Sequence, residues 1–167
     1  MGHIDARLSE LGITLPGVAT PVAAYVPAMT SGNLLFTAGQ LPFVDGALMA
    51  TGKVGGEVSV TQAADMAKIC ALNALAAAKS VLGSLDRVTR VVKVNGFVAS
   101  TPDFIAQPQV LNGASEFLGE VFGDIGAQRE FAFLLRQALE SLFHHHVLSS
   151  ILLMFHFLGS FHDNLHH

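Results

Sequence analysis

The chain has few charged residues. Only 13% of its 167 residues are Asp, Glu, Lys or Arg, whereas about a quarter is typical of globular domains. The net charge is −4 and the nine Lys and Arg are scattered, so the basic stripe that a nucleic-acid groove requires is absent. The 51% of hydrophobic residues favours one compact domain with much buried surface. We therefore expect no nucleic-acid partner.

Cysteine and long apolar runs are also scarce. The single cysteine, Cys70, cannot form an internal disulfide, which favours a reducing compartment, and its apolar helical surroundings predict an inert buried thiol. The longest apolar run, residues 147–161, is about fifteen residues long, short of the roughly twenty that span a bilayer. The first residues are charged and lack the apolar segment of a secretory signal. These absences predict a cytoplasmic protein without a membrane role.

The first third of the sequence predicts a small antiparallel meander. Two extended runs, "VAAYVPAM" and "NLLFTAGQL", are joined by "TSGN", in which Gly32 and Asn33 can adopt the positive φ of a tight hairpin. The pair Asp45-Gly46 is a second hairpin signal, before "ALMATGK". Three short strands are therefore expected before the first helix.

The middle of the chain predicts helix, strand and helix. Ser59 begins a capping box and Gly83 occupies the usual C-cap position, while the alanine-rich stripe between them lets a helix lie close to a sheet. Residues 87–100 are β-branched and predict a central strand. Pro108 suits the first turn of a second helix, which Gly123 ends. The order β-β-β-α-β-α predicts an α+β sandwich with two helices on one face of a mainly antiparallel sheet.

The character of the sequence changes after Gly126. Residues 127–167 show helical periodicity without strand alternation, so we expect an apolar, histidine-rich helical extension packed on a domain formed by residues 1–126. Seven of the eight histidines lie between His144 and His167. Their spacing lacks a metal motif such as H-E-x-x-H, so adventitious metal binding is favoured over a designed metal site.

Several motifs carry a resemblance to a known family. The stretch "SGNLLFTAGQLPFVDG" is similar to a strand of the pattern G-N-apolar-apolar-F-x-S-G-Q, and "VLNGASEFLGEVFGDIG" is similar to a helix with an N-G-A-S signature. Over residues 8–126 the chain resembles the RidA family, also called the YjgF or L-PSP endoribonuclease family. The resemblance implies a fold like Bacillus-type chorismate mutase, a homotrimer with clefts between subunits, and hydrolysis of enamines and imines to 2-oxo acids and ammonia without a cofactor.

The resemblance also implies a site for a small carboxylate-bearing substrate. Tyr25 and Arg129 stand near the positions of the cleft tyrosine and the carboxylate-binding arginine, and are the candidate catalytic residues. The backbone N–H of Gly39 would contact the same carboxylate. Ala38 occupies the serine position of S-G-Q, so this part of the site lacks a hydroxyl, and Thr37 should face the other side of the strand. Gln40 is expected to be structural, its amide fixing the corner.

Structural and non-catalytic interpretations of the same residues stay open. Tyr25 is equally a packing residue, Gly39 a simple strand bend, and Glu140 lies in a helical pattern unlike the glutamate on the family's last strand. The missing serine hydroxyl at Ala38 and the missing glutamate support the alternative of a non-catalytic relative that binds a small carboxylate or serves as an oligomeric scaffold. A third hypothesis is a replaced C-terminus, in which helices cover the sheet edge left by two missing strands.

Overall fold

The computed structural model describes residues 2–18, 26–126, 130–135 and 151–159; within the last two ranges it gives the backbone and the side chain of Phe157. The helices and strands, in chain order, are α1 (His3–Glu10), β1 (Ala28–Ser31), β2 (Leu34–Thr37), β3 (Phe43–Val44), β4 (Ala47–Leu48), α2 (Val60–Leu82), β5 (Val88–Val98), α3 (Gln107–Phe122), β6 (Glu130–Leu135) and β7 (Ile151–Gly159).

The main sheet has five strands in the order β1-β2-β7-β5-β6. The β1–β2, β2–β7 and β5–β7 pairs are antiparallel, and β5–β6 is parallel. The strands β3 and β4, of two residues each, form a separate hairpin, so the main sheet does not contain the third strand expected before the first helix. The predicted α+β class with a mainly antiparallel sheet is confirmed.

The core lies between the sheet and the helices α2 and α3. Every second residue of β2 is buried, and β5 buries Val91, Val94 and Val98 toward the same core, which also contains Phe157 of β7. The buried side of α2 consists largely of alanine, which allows the helix to approach the sheet closely. On the opposite face of the sheet Leu34, Phe36, Lys93, Asn95 and Phe97 are half-buried.

The predicted helix cap, helix end and hairpin turn are all present in the structure. Ser59 caps α2, its Oγ accepting a hydrogen bond from the Gln62 N–H at 3.2 Å, and Gly83 ends the helix with φ 76°. In the β3–β4 hairpin the two turn residues Asp45 and Gly46 have φ of 51° and 80°. These values explain Gly46 at the second position, because L side chains rarely adopt positive φ.

The prediction of a helical tail is wrong where the structure describes the tail. Residues 130–135 and 151–159 are the strands β6 and β7, and β7 lies between β2 and β5 with hydrogen bonds on both edges. A strand in such a position reads as a continuous apolar run, which periodicity does not distinguish from a helix. The hypothesis that two sheet strands are missing is therefore also wrong. The division of the chain at residue 126 stays a prediction.

The helix α1 was not predicted, because its sequence is short and mostly polar. Ile4 and Leu8, one turn apart, are buried and belong to the main core. The helix N-terminus is held by Asp86, whose Oδ1 accepts the Ile4 N–H at 2.8 Å and whose Oδ2 accepts the Ser84 hydroxyl at 3.0 Å. The Ile4 N–H is the main cause of a lowered pKa of Asp86; burial opposes it with a smaller effect, and the Ser84 hydroxyl lowers the pKa a little further.

Asp86→Ala is expected to lower the free energy of unfolding by about 1 kcal/mol at pH 7, because it removes a cap of α1. Since the folded pKa is depressed, this stabilisation is complete above the unfolded pKa of about 3.9 and is lost as the pH falls through the folded pKa. Urea unfolding at several pH values measures the difference between the two proteins, with the exposed Asp103→Ala as control. A difference that persists unchanged at pH 2 would contradict this assignment.

Candidate functional site

The corner formed by Ala38, Gly39 and Gln40 follows directly after β2. The Ala38 N–H donates to the Pro27 carbonyl at 2.9 Å, and the Gln40 Nε2 donates to the Ala38 carbonyl at 3.1 Å. The predicted structural role of Gln40 is thus confirmed. Thr37 is 3% exposed whereas Ala38 is half-buried, so the two face opposite sides and Thr37 does not replace the missing hydroxyl.

The first two amide donors of the corner differ in their hydrogen bonds. The Ala38 N–H is already bonded within the protein, whereas the Gly39 N–H has no acceptor within the part of the chain that the structure describes. Gly39 is half-buried, so its amide is shielded from bulk water but not sealed in the core. A half-buried N–H of this kind suits an anionic oxygen, since hydrogen bonds to charged acceptors are the stronger ones.

The segment after the corner is fixed to α2. The Asn73 Nδ2 donates to the Leu41 carbonyl at 2.9 Å and to the Phe43 carbonyl at 3.1 Å. The Phe43 N–H donates to the Leu41 carbonyl at 2.8 Å, which closes a tight turn around Pro42. The sequence analysis missed Asn73. Its signal was an asparagine in the alanine-rich helix "CALNALAAAK", where this residue is a poor helix former and needs a polar partner.

Two of the predicted site residues fall outside the described part of the chain. Tyr25 and Arg129 both lie there, so their placement near Gly39 stays a prediction. Arg129 is the residue before β6 in the sequence, and the first residue of that strand, Glu130, pairs with Lys93 of β5. Of the four predicted residues, the structure places Ala38 and Gly39 side by side at the end of β2.

No group of three or more His, Cys, Asp or Glu side chains that could hold a metal ion occurs among residues 2–18, 26–126, 130–135 and 151–159. Within these ranges the structure likewise contains no helix whose length and apolar character would let it cross a membrane. Cys70 is fully buried, and burial raises the pKa of its thiol well above the ordinary value, as expected of an inert cysteine.

The fold and a family model together identify the class of protein. Two helices cover one face of a five-stranded sheet in which β7, far along the chain, is inserted between β2 and β5. A sequence model of the family described as "YjgF/chorismate mutase-like, putative endoribonuclease" matches residues 5–144. The chain belongs to this family.

Individual relatives agree with that assignment. Protein TCP17 of Trypanosoma cruzi is 44% identical over 123 residues, which cover 74% of this chain and 77% of that protein. The crystal structure of Atu1372 from Agrobacterium tumefaciens, a protein of unknown function, is 40% identical with a TM-score of 0.80, covering 93% of this chain and 92% of that one. The crystal structure of a protein described as a "putative endoribonuclease" from Shewanella oneidensis MR-1 has a TM-score of 0.84 at 27% identity, covering 94% of this chain and 99% of that one.

Proposed function

We propose that this protein hydrolyses reactive enamine and imine intermediates to 2-oxo acids and ammonia. The observation that carries the proposal is the Gly39 N–H, which lacks an acceptor among the described residues at the corner where the family's pattern expects a carboxylate contact. Family membership supports a role of this general kind. Tyr25 and Arg129 are assigned to the same site by their sequence positions.

Hydrolysis of an imine requires mainly that the substrate and the attacking water be held in position. An enamine first takes up a proton at its β-carbon and becomes the protonated imine. Water adds to the C=N carbon, and the carbinolamine expels the nitrogen with its proton, so that one protonated imine and one water give one 2-oxo acid and one ammonium ion. No electron acceptor and no metal enters this balance. In the proposed site the carboxylate is bound by the Arg129 guanidinium and the Gly39 N–H, which fixes the C=N group beside the attacking water.

A homotrimer with clefts between subunits is part of the proposal. The face of the sheet opposite the helices carries Leu34, Phe36 and Phe97, which stay half-buried in the single chain. Apolar side chains in the middle of a sheet face suit a contact between copies of the chain. Light scattering of the purified protein should give three times the mass of one chain.

A second candidate function is binding without catalysis. The sequence of β7, "ILLMFHFLG", contains no carboxylate that could position a water, and Ala38 supplies no hydroxyl. Both departures leave carboxylate binding intact and remove groups that would assist the chemical step. A small-carboxylate sensor or an oligomeric scaffold would fit them.

The test is the release of ammonia from freshly generated 2-aminoacrylate. We expect the protein to accelerate this release clearly above the rate in buffer, and calorimetric titration to show binding of the product pyruvate. Binding without acceleration would favour the non-catalytic candidate. If the protein neither binds pyruvate nor accelerates the release of ammonia, the proposal is overturned.

A further inference from the structure

The amide of Asn73 contacts two carbonyls of one short segment. Its Nδ2 carries two N–H groups, and the Leu41 and Phe43 carbonyls accept them at 2.9 Å and 3.1 Å. The reverse orientation of the amide would direct its oxygen at two carbonyl oxygens, so the donor orientation is the one the surroundings permit. Asn73 therefore acts as a two-pronged clip between α2 and the segment 41–43.

This clip is one of two anchors on either side of Gly39. Before the glycine, the Ala38 N–H donates to the Pro27 carbonyl and the Ala38 carbonyl accepts from the Gln40 amide. The Ala38 carbonyl and the Gly39 N–H belong to one planar peptide, so the Gln40 amide also sets the direction of this N–H. After the glycine, Leu41, the neighbour of Gln40, is fixed to α2 through Asn73.

The clip is also continuous with the hairpin that follows. The Met49 N–H donates to the Pro42 carbonyl at 3.1 Å, and Phe43 begins β3. Loss of the Asn73 contacts would leave the Leu41 carbonyl with only the Phe43 N–H of the tight turn. Freed from α2, the segment could rotate about Gly39, the residue with the least resistance to backbone motion. Such a rotation would carry the Gln40 amide away from the Ala38 carbonyl.

We propose that Asn73 is a positioning residue for the ligand site at Gly39, a role that rests on the carboxylate-binding function proposed above. By holding Leu41 and Phe43 on the rigid helix α2, it keeps the neighbouring Gln40 amide on the Ala38 carbonyl, which fixes the plane of the Ala38–Gly39 peptide and so the direction of its N–H before the ligand arrives. A hydrogen bond contributes most to the binding free energy when its donor already points at the acceptor position, because the protein then loses no further conformational entropy on binding.

The first test measures the corner without reference to any activity. In Asn73→Ala the amides of Phe43 and Met49, both bonded within this segment, are expected to exchange hydrogen about 10-fold faster than in the wild type. The control is Ser80→Ala on the same helix, where the Ser80 hydroxyl donates to the Ala77 carbonyl at 2.7 Å, away from the corner. This control should exchange in residues 38–49 as the wild type does. Unchanged exchange in Asn73→Ala would overturn the proposal.

The second test measures ligand binding. Asn73→Ala is expected to raise the Kd for pyruvate, and the KM for the imine, about 10-fold, while kcat changes little, because the carboxylate contact is made equally in the ground and transition states. Ser80→Ala should keep both constants. A residue with a purely structural role would lower the melting temperature and leave the constants unchanged well below it, and that result would overturn the proposal.

The two tests separate the proposals. A wild-type protein that binds pyruvate and an Asn73→Ala variant that binds it equally well would remove Asn73 from the site and leave the proposed function standing. A wild-type protein that neither binds nor turns over would overturn the proposed function and with it the ligand role of Asn73. The exchange experiment would still decide whether Asn73 holds the segment.

Discussion

Gly113→Ala is expected to lower the free energy of unfolding by about 3 kcal/mol, since overpacking at a rigid contact costs about this much. Gly113 lies where α3 crosses α2, and a Cβ at this position would overlap the backbone carbonyl of Ala64. A carbonyl inside a helix cannot rotate away as a long side chain can, so relief requires the two helices to separate. Both helices border the core, and their separation would open it.

The matched control lies on the same helix. A Cβ at Gly119 meets nothing within 4 Å. Gly119→Ala should therefore stabilise the protein by about 0.5–1 kcal/mol through helix propensity. Guanidinium unfolding at one fixed protein concentration compares the two variants with the wild type. If Gly113→Ala were as stable as Gly119→Ala, the close helix contact would be refuted.

Arg129→Ala is expected to lower kcat/KM for imine hydrolysis about 100-fold, the scale seen when a charged donor to a substrate anion is removed. The reason is the fork of N–H groups in the guanidinium, which can bind both oxygens of a carboxylate at once. Arg129→Lys keeps the charge but not the fork, so it should fall between the alanine variant and the wild type.

The controls for Arg129 use rate and stability together. Arg90→Ala removes an exposed arginine of β5 and should keep the wild-type rate. Each variant is compared by initial rates of ammonia release and by its melting temperature, so that a loss of folding is not mistaken for a loss of the site. Equal rates for Arg129→Ala and the wild type would remove Arg129 from the proposed site.

Local signals were the most predictable part of the fold. Ser59, Gly83 and the Asp45-Gly46 pair each act through their own backbone and nearest neighbours, so the sequence around them contains the information needed. The order of strands and helices from β1 to α3 followed from these signals, except that the expected third strand is the separate β3–β4 hairpin, and α1 was missed. The tail was not predictable in the same way, because β7 acquires its strand partners β2 and β5 from distant parts of the chain.

The candidate site was predictable only in part, and for a similar reason. The corner at Gly39 stands out in the sequence as a glycine and an amide after an apolar strand. Asn73 does not, because its carbonyl partners lie 30 and 32 residues away and neither belongs to a recognisable motif. A polar residue in an alanine-rich helix indicates that a partner exists, but it does not say where the partner lies.

The central position of β7 has a consequence for synthesis on the ribosome. The strand that separates β2 from β5 begins at residue 151, whereas β2 ends at residue 37. At translation rates of about 5–20 residues per second, on the order of ten seconds pass between the two. The edge of β2 stays unpaired throughout that time, and β5, which ends at residue 98, adds a second unpaired edge once it has been made. Unpaired strand edges are a known hazard for association with other chains. The sheet is thus closed from the inside, by a strand made long after the β2 strand that it pairs with.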